Sequence, residues 1–279
     1  MNLSWKRLEF KEIHWPEDAR MAVLLNSEYE PIRKIPNLAE DVRDLREISA
    51  SEFEARCGIW RILNILEKFG LRATFYVNGA SAEAFPDSVL EIRKRGHEIA
   101  AHGYRTESLW GLKEEDEKTL IDKVVSSLKG VTHESPLGWL SVKAQPSENT
   151  FKILIEKNFT WNSDLFDSEL PYLIDIEGKT IVEIPRSFTT DDVSLPYTNP
   201  RVLFEAWSDE FDYLYKESEK TPKMFMITWH QHITGRPSRA KALEDFLSHI
   251  VDYSGIWFAR NIDVAEWCLK HCRPNVSVP

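Results

Sequence analysis

The chain has 279 residues, of which 45 are acidic and 35 basic, giving a formal net charge of −10 at pH 7. The sequence has no basic stripe, which argues against a nucleic-acid surface. It also has no run of about 18 apolar residues, so no membrane span is expected. The N-terminus lacks an apolar h-region, and three cysteines make a poor disulfide scaffold, so we expect a cytoplasmic protein without a signal peptide.

Strand-like apolar runs alternate with segments of helical periodicity along the chain. The strands are predicted at Met21–Asn26, Ala73–Asn78, His97–Ala101, Leu137–Leu140, Thr160–Ser163, Thr180–Ile184, Met224–Trp229 and Gly255–Ala259. The helical faces are predicted within Ile59–Phe69, Leu120–Leu128, Phe151–Ile155, Val202–Trp207 and Leu243–Ile250. This alternation predicts an α/β fold with parallel strands inside and helices outside. No Gly-x-Gly-x-x-Gly loop follows the first strand, so a (β/α) barrel forming one domain over residues 1–279 is favoured over an open sheet.

A long segment from Glu28 to Ser51 separates the first predicted strand from the first helix. It carries many charges together with Pro31 and Pro36. Segments of this length in compact domains are often lids or interface elements. We therefore expect it to cover a site or to form an interface.

Polar or aromatic residues stand where several predicted strands end. They are Glu28, His102, Arg105, Trp139, Asp164 and His230. A single carboxylate or histidine at a strand end usually has a structural role. In a barrel, however, the C-terminal strand ends share one mouth, and active sites are built there. Six candidates at successive strand ends therefore predict a shared site.

Two loops near these strand ends carry further candidates. His232 follows His230 by two residues, just before a Gly-Arg-Pro turn. Arg186, with Asp191 and Asp192, follows the strand at Thr180–Ile184. The second loop is within reach of the same mouth, although the favoured interpretation of Arg186 is structural.

Six segments, several of them long, resemble a known family. They are Gly58–Gly79, Gly96–Arg105, Pro136–Trp139, Ser147–Tyr172, Ile233–Leu247 and Gly255–Trp267. Through them the chain resembles the NodB-homology polysaccharide deacetylase superfamily from about Ala22 to Trp267. Within it, the chain is most similar to the allantoinase and cyclic-imide hydrolase branch, whose enzymes open cyclic amides without a metal. The resemblance implies a distorted (β/α) TIM-like barrel, and relatives in this branch form homo-oligomers.

Departures from the family pattern bear on the metal. Metal-dependent members carry two aspartates after the first strand and two histidines, four residues apart, after the third. Here Asn26 and Glu28 occupy the region of the aspartates, His102 matches the first histidine, and Thr106 replaces the second. A zinc-like site usually has three protein ligands and a water. We therefore expect no metal or other cofactor. If zinc binds, the expected ligands are Glu28, His102 and His232.

Without a metal, protein groups have to supply the chemistry of hydrolysis. The resemblance and the strand-end positions predict that Glu28 and His102 hold and deprotonate a water. General-base catalysis of this kind contributes about 10²–10⁴-fold. His230 matches a late family motif, and we expect it to protonate the leaving nitrogen.

Five further residues are predicted to bind substrate: Asn26, Arg105, Trp139, Asp164 and Trp229. The planar guanidinium of Arg105 suits a carbonyl, because it donates two parallel hydrogen bonds. The sequence fits two roles for Trp139 and Trp229 equally well: contact with a planar substrate ring and packing in the core. Asp164 either orients Arg105 or a histidine, or only closes a loop.

Three functions remain open from the sequence. The first is hydrolysis of a small cyclic amide or imide, such as allantoin, a hydantoin or a succinimide-like ring. The second is deacetylation of an acetamido sugar or another linear amide, with or without a metal. The third is a catalytically silent barrel that binds a partner. The asparagine at position 26 disfavours the second, and retention of Glu28, His102 and His230 disfavours the third. We expect a small-molecule substrate and a homo-oligomer.

Overall fold

The structure is a computed structural model that describes residues 5–32, 44–196 and 199–275. The strands are β1 (Lys6–Glu9), β2 (Met21–Tyr29), β3 (Thr74–Val77), β4 (Glu98–Ala101), β5 (Gly138–Trp139), β6 (Trp161–Asn162), β7 (Tyr172–Ile176), β8 (Lys179–Glu183), β9 (Lys223–His230) and β10 (Ile256–Ala259). The helices are α1 (Leu45–Phe53), α2 (Ile59–Phe69), α3 (Gly79–Ala84), α4 (Pro86–Lys94), α5 (Glu114–Thr132), α6 (Thr150–Glu156), α7 (Arg201–Glu217), α8 (Pro237–Ile250) and α9 (Asn261–His271).

Strand β2 is the centre of the sheet. One edge of β2 pairs with β9 from Met21 to Glu28, and the other edge pairs with β10 in its first half and β3 in its second. From β3 the sheet continues through β4, β5, β6, β8, β7 and β1. All nine residues of β2 are buried, as expected for a parallel strand that is covered on both faces.

The two sides of the sheet approach each other between β8 and β9. There Asp191 forms a bridge with Thr228, the Thr228 amide donates to the Thr190 carbonyl at 3.2 Å, and Thr190 Oγ1 donates to the Met226 carbonyl at 2.6 Å. The segment after β8 is thereby held against the end of β9. This contact brings Arg186, Asp191 and Asp192 to the C-terminal ends of β2 and β9.

The sequence missed two strands, β1 and β7, which both pair antiparallel. β7 and β8 form a hairpin whose turn residues Glu177 and Gly178 have φ of 53° and 82°. Positive φ at both central positions is the pattern of a tight hairpin turn. The Glu-Gly pair between two apolar runs was therefore a readable signal. β2 also extends to Tyr29, three residues beyond its predicted end, so Glu28 lies within the strand.

Side-chain alternation along β2 and β9 separates two apolar clusters. Val23 and Ile227 belong to the cluster packed under the helices, whereas Leu24 and Met226 belong to the cluster inside the sheet. Because successive strand residues face opposite sides, Glu28 and His230 share the inner face with Leu24 and Met226. Both clusters pack against the same sheet. Among the described residues, every helix is too short or too polar to cross a bilayer.

Candidate active site

Glu28 and His230 form the centre of the candidate site. They are register partners on β2 and β9, and His230 Nε2 lies 3.1 Å from Glu28 Oε2. On the other side of the ring, His230 Nδ1 lies 2.8 Å from Asp192 Oδ1. Burial alone would lower the pKa of His230, but Glu28 and Asp192 outweigh it and raise that pKa well above its ordinary value. His230 therefore rests as an imidazolium between two carboxylates.

Asp192 is fixed by three donors. Its Oδ2 accepts from the His230 backbone amide at 2.9 Å and from Thr234 Oγ1 at 2.7 Å, while its Oδ1 faces the His230 ring. A carboxylate held in this way orients the imidazole and stabilises its charged form. Asp192 is fully buried, so this arrangement is pre-formed.

The carboxylate of Glu28 lies among three cationic groups. Arg186 Nη2 donates to its Oε1 at 2.8 Å and to Asp191 Oδ2 at 3.0 Å. Burial alone would raise the pKa of Glu28, but His230, Arg186 and His102 hold that pKa well below its ordinary value. Glu28 is therefore ionised at neutral pH although it is almost completely buried.

His102 completes the cluster from the end of β4. Its Nδ1 lies 2.9 Å from the Leu140 carbonyl, which can only accept, so this nitrogen carries a proton. Its Nε2 lies 2.8 Å from Glu30 Oε1 and 3.5 Å from Glu28 Oε2. The Glu30 contact is an ion pair without hydrogen-bond alignment. Burial alone would lower the pKa of His102, but Glu30 and Glu28 raise it. The contacts of His102 with two carboxylates favour a role in fixing them over the predicted role of base.

The predicted metal ligands do not come together. His232 Nδ1 instead lies 2.9 Å from Glu54 Oε1, and Glu54 Oε2 accepts the Glu30 amide at 2.9 Å. Glu28, Glu30 and His230 form a different set, with ligand atoms all within 4.8 Å of one another. Two carboxylates and an imidazole suit a zinc-like ion by donor type. The Arg186 guanidinium, however, already contacts the Glu28 carboxylate.

Three predicted substrate-binding residues lie away from the cluster. Trp139 and Trp229 are fully buried under the helices. Trp229 adjoins His230 on β9 and must therefore face the opposite side of the sheet. Arg105 is exposed, and its guanidinium lies 6.0 Å from the Tyr104 ring centroid. The guanidinium at the site belongs to Arg186, whose interpretation as structural is not supported.

Asn26 and Asp164 lie beneath the cluster and do not line its cavity. Asn26 is fully buried one inward position before Glu28, and its side-chain polar atoms have no partner in the described part of the chain. Asp164 accepts the Ser141 amide and hydroxyl, both at 2.7 Å. Burial raises the pKa of Asp164 to about 6. Asp164 thus joins the loops after β5 and β6.

A cavity of about 710 Å³ opens above Glu28 and His230. Its polar side also includes Glu30, Arg186, Asp191 and His232. Its apolar side includes Ala50, Val142, Ala144, Phe166, Phe188 and Val193. Ala50 and Ser51 belong to α1, so the C-terminal part of the Glu28–Ser51 segment lines the cavity. The middle of that segment, residues 33–43 with Pro36, lies outside the described residues.

Two glycines hold the turn after His230 against α2. A Cβ on Gly58 would lie 2.5 Å from the Gln231 carbonyl oxygen, and one on Gly235 would lie 2.2 Å from the same oxygen. Arg61 donates to the Gly235 carbonyl. Only glycine permits this backbone approach. The segments Gly58–Arg61 and Gly235–Pro237 therefore have a structural role, because they fix the turn that follows His230 and contains His232.

Sequence reasoning overlooked Glu30 and gave no role to Glu54. Glu30 follows Glu28 by two residues, so strand alternation was a signal for it. Glu54 gave no signal, because it lies in a π-helical segment, Glu54–Gly58, between α1 and α2. Such segments are rare and often occur at functional sites.

The chain as a whole is similar to known proteins. A polysaccharide deacetylase family profile matches residues 52–160. The crystal structure of PuuE allantoinase superposes with a TM-score of 0.86 and 28% identity, covering 92% of this chain and 93% of that one. The peptidoglycan deacetylase of Helicobacter pylori is 26% identical, with 80% of this chain and 88% of that protein aligned. The superposition confirms the predicted α/β fold with a parallel sheet and outer helices.

Proposed function

Since the chain carries a polysaccharide deacetylase family domain and is a hydrolase of carbon–nitrogen bonds other than peptide bonds, we propose that it opens a small cyclic amide or imide without a metal. The observation that carries this proposal is the contact of Arg186 with Glu28 at 2.8 Å. The fixed guanidinium of Arg186 places a positive charge at the Glu28 carboxylate. A divalent cation would need that carboxylate as a ligand. The likeness to PuuE allantoinase supports a cyclic substrate.

The reaction uses the resting charges of the cluster. A water attacks the ring carbonyl while Glu28 accepts its proton. The carbon–nitrogen bond then breaks, and His230 donates its proton to the leaving nitrogen. Both groups already rest in the required form, with Glu28 ionised and His230 protonated. Their contact at 3.1 Å allows the proton on Glu28 to return to His230 after each turnover.

The same contacts set the strength of the acid and the base. A low pKa makes Glu28 a weak base, and a high pKa makes His230 a weak acid, which limits proton-transfer efficiency. A substrate that separates the two side chains weakens their mutual attraction and moves both pKa values towards neutrality. Asp192 keeps the ring oriented during this change. Arg186, which lines the cavity, stays beside the negative charge that develops on the carbonyl oxygen.

The cavity supports a small substrate. Its volume of about 710 Å³ lies within the roughly 300–1,000 Å³ of small-molecule sites. The predicted cytoplasmic location and homo-oligomer stay predictions.

Deacetylation of an N-acetyl group is the second candidate, and the cluster of Glu28, Glu30 and His230 favours it. These three residues would hold a zinc-like ion. A bound ion would polarise the substrate carbonyl and lower the pKa of a bound water. The similarity to the Helicobacter pylori peptidoglycan deacetylase points the same way.

One experiment separates the two candidates. Purified protein is assayed on allantoin, hydantoins, cyclic imides and acetamido sugars, with and without a chelator, and its metal content is measured. We expect turnover of a cyclic amide, substoichiometric metal and no loss of rate with chelator. Turnover of acetamido sugars alone, abolished by chelator and restored by zinc, would contradict the proposal.

A further inference from the structure

Two phenylalanines form a stacked pair beside the catalytic cluster. The rings of Phe166 and Phe188 lie 3.8 Å apart between centroids, with their planes within 6° of parallel. Phe166 follows β6 and Phe188 follows β8. The two segments are joined where the Arg186 amide donates to the Leu165 carbonyl at 2.9 Å. The pair is therefore tied to the backbone of the residue that holds Glu28.

The stacked pair does not serve as core packing. Phe188 is 62% exposed, and neither ring belongs to an apolar cluster of the described residues. The pair lines two cavities at once, the one above Glu28 and a neighbouring one of about 770 Å³. An exposed aromatic ring that lines a cavity offers a ligand a flat apolar surface to stack on.

The cavity above Glu28 is larger than a bare five-membered ring requires. Sites of its volume bury drug-sized ligands. The reacting ring must lie on the polar side, against Glu28 and His230. The remaining space reaches the apolar lining, in which Phe166 and Phe188 are the largest apolar side chains.

We propose that Phe166 and Phe188 determine specificity by binding a flat apolar substituent carried by the ring that the enzyme opens. The substituent lies against the exposed ring of Phe188, where offset stacking adds to the burial of apolar surface. This inference rests on the proposed function, and it names the substrate class as cyclic amides with an aryl or arylalkyl group. Arg186 places the reacting carbonyl and Phe188 places the substituent from two positions of the same segment.

The test is a binding and turnover comparison of methyl- and benzyl-substituted hydantoins. We expect the benzyl compound to bind at least about 10-fold more tightly to the unmodified protein, on the scale by which apolar pockets discriminate. Phe188→Ala should abolish this preference. Phe188→Leu, which keeps apolar volume and loses the ring, should remove most of it. Trp110→Ala is the matched control, because Trp110 is equally exposed at 62% and lines neither cavity.

The two readouts separate this inference from the proposed function. Equal binding of the two hydantoins, or a preference that survives Phe188→Ala, would overturn the inference even if both compounds are hydrolysed. Tight benzyl-dependent binding that Phe188→Ala removes, without turnover of any cyclic amide, would sink the proposed function and leave the apolar subsite standing. Loss of the preference in Trp110→Ala as well would show that the effect is not local to the stacked pair, and would overturn the inference.

Discussion

Two buried glutamates of the sheet, Glu28 and Glu98, have opposite electrostatics. Glu28 lies near the end of β2 among His230, Arg186 and His102, which hold its pKa well below the ordinary value. Glu98 begins β4, and burial raises its pKa to about 7 although neutral donors and a distant Arg260 oppose the shift. Both carboxylates are almost completely buried. Burial alone therefore does not decide the charge of either one.

The partners explain the difference. Glu98 accepts from Thr74 Oγ1 at 2.8 Å, Trp161 Nε1 at 2.9 Å and the Ile262 amide at 3.0 Å. By accepting from these neutral donors, Glu98 joins β3, β6 and the start of α9, which is a structural role. Cationic partners stabilise a carboxylate more strongly than neutral donors do. A buried carboxylate kept ionised by three cations beside a cavity is the better candidate for chemistry.

The largest expected effect comes from exchanging each carboxylate for its amide. Glu28→Gln should lower kcat by about 10²–10⁴-fold, because an amide cannot accept the proton of the attacking water. Glu98→Gln should leave kcat unchanged and reduce the free energy of unfolding by about 1–3 kcal/mol, because the amide group faces donors it cannot satisfy. The measurements are kcat on the preferred substrate and urea unfolding. Equal rate losses in the two variants would remove the functional distinction between the glutamates.

The sequence predicted the inner residues of the site because their positions follow from strand periodicity. Glu28 and His230 end two parallel strands, and parallel strands bring such ends together. The same periodicity argues against Trp229 as a substrate-binding residue, because it adjoins His230 and so faces the helices. Arg105 is exposed and does not line the cavity, although its neighbour Thr106 does. The direction of a side chain in this loop depends on packing that periodicity does not encode.

The outer part of the site depends on contacts between distant segments. Arg186 and Asp192 reach Glu28 and His230 because the segment after β8 pairs with β9 at Thr190 and Asp191. Nothing in the local sequence specifies this contact. The hairpin of β7 and β8 was readable from its Glu-Gly turn, yet its antiparallel pairing overrides the simple strand–helix alternation. Long-range pairing thus limits what the sequence alone predicts.

A second prediction uses pH to sharpen the comparison. The pKa of Glu98 is raised from an ordinary value near 4.5 to about 7, so between these values the folded state binds more protons than the unfolded state. Stability contributed by Glu98 therefore falls as pH rises through this window. The difference corresponds to up to about 3 kcal/mol. Glutamine does not titrate, so the destabilisation caused by Glu98→Gln should shrink between pH 5 and pH 8.

Urea unfolding of both proteins at several pH values measures this effect. Most of the change should fall between about pH 5 and pH 7. A destabilisation that stays constant across the range would show that Glu98 has an ordinary pKa. The electrostatic contrast with Glu28 would then be lost, although the difference in partners would remain.

The smallest expected effect comes from removing one threonine hydroxyl that donates to a buried carboxylate, either Asp192 or Glu98. Thr234 donates to Asp192 at 2.7 Å near His230, and Thr74 donates to Glu98 at 2.8 Å while accepting the Asn261 amide at 2.9 Å. Valine keeps the shape of threonine and removes its hydroxyl. Each hydrogen bond is worth about 1 kcal/mol, which is roughly fivefold in a rate. Thr234→Val should therefore lower kcat several-fold, because it loosens the carboxylate that orients His230. Thr74→Val should leave kcat unchanged and reduce the free energy of unfolding by about 1–3 kcal/mol, because it also leaves a buried amide without its acceptor. A rate loss in Thr74→Val that matches that of Thr234→Val would mean that Glu98 affects the chemistry as Asp192 does.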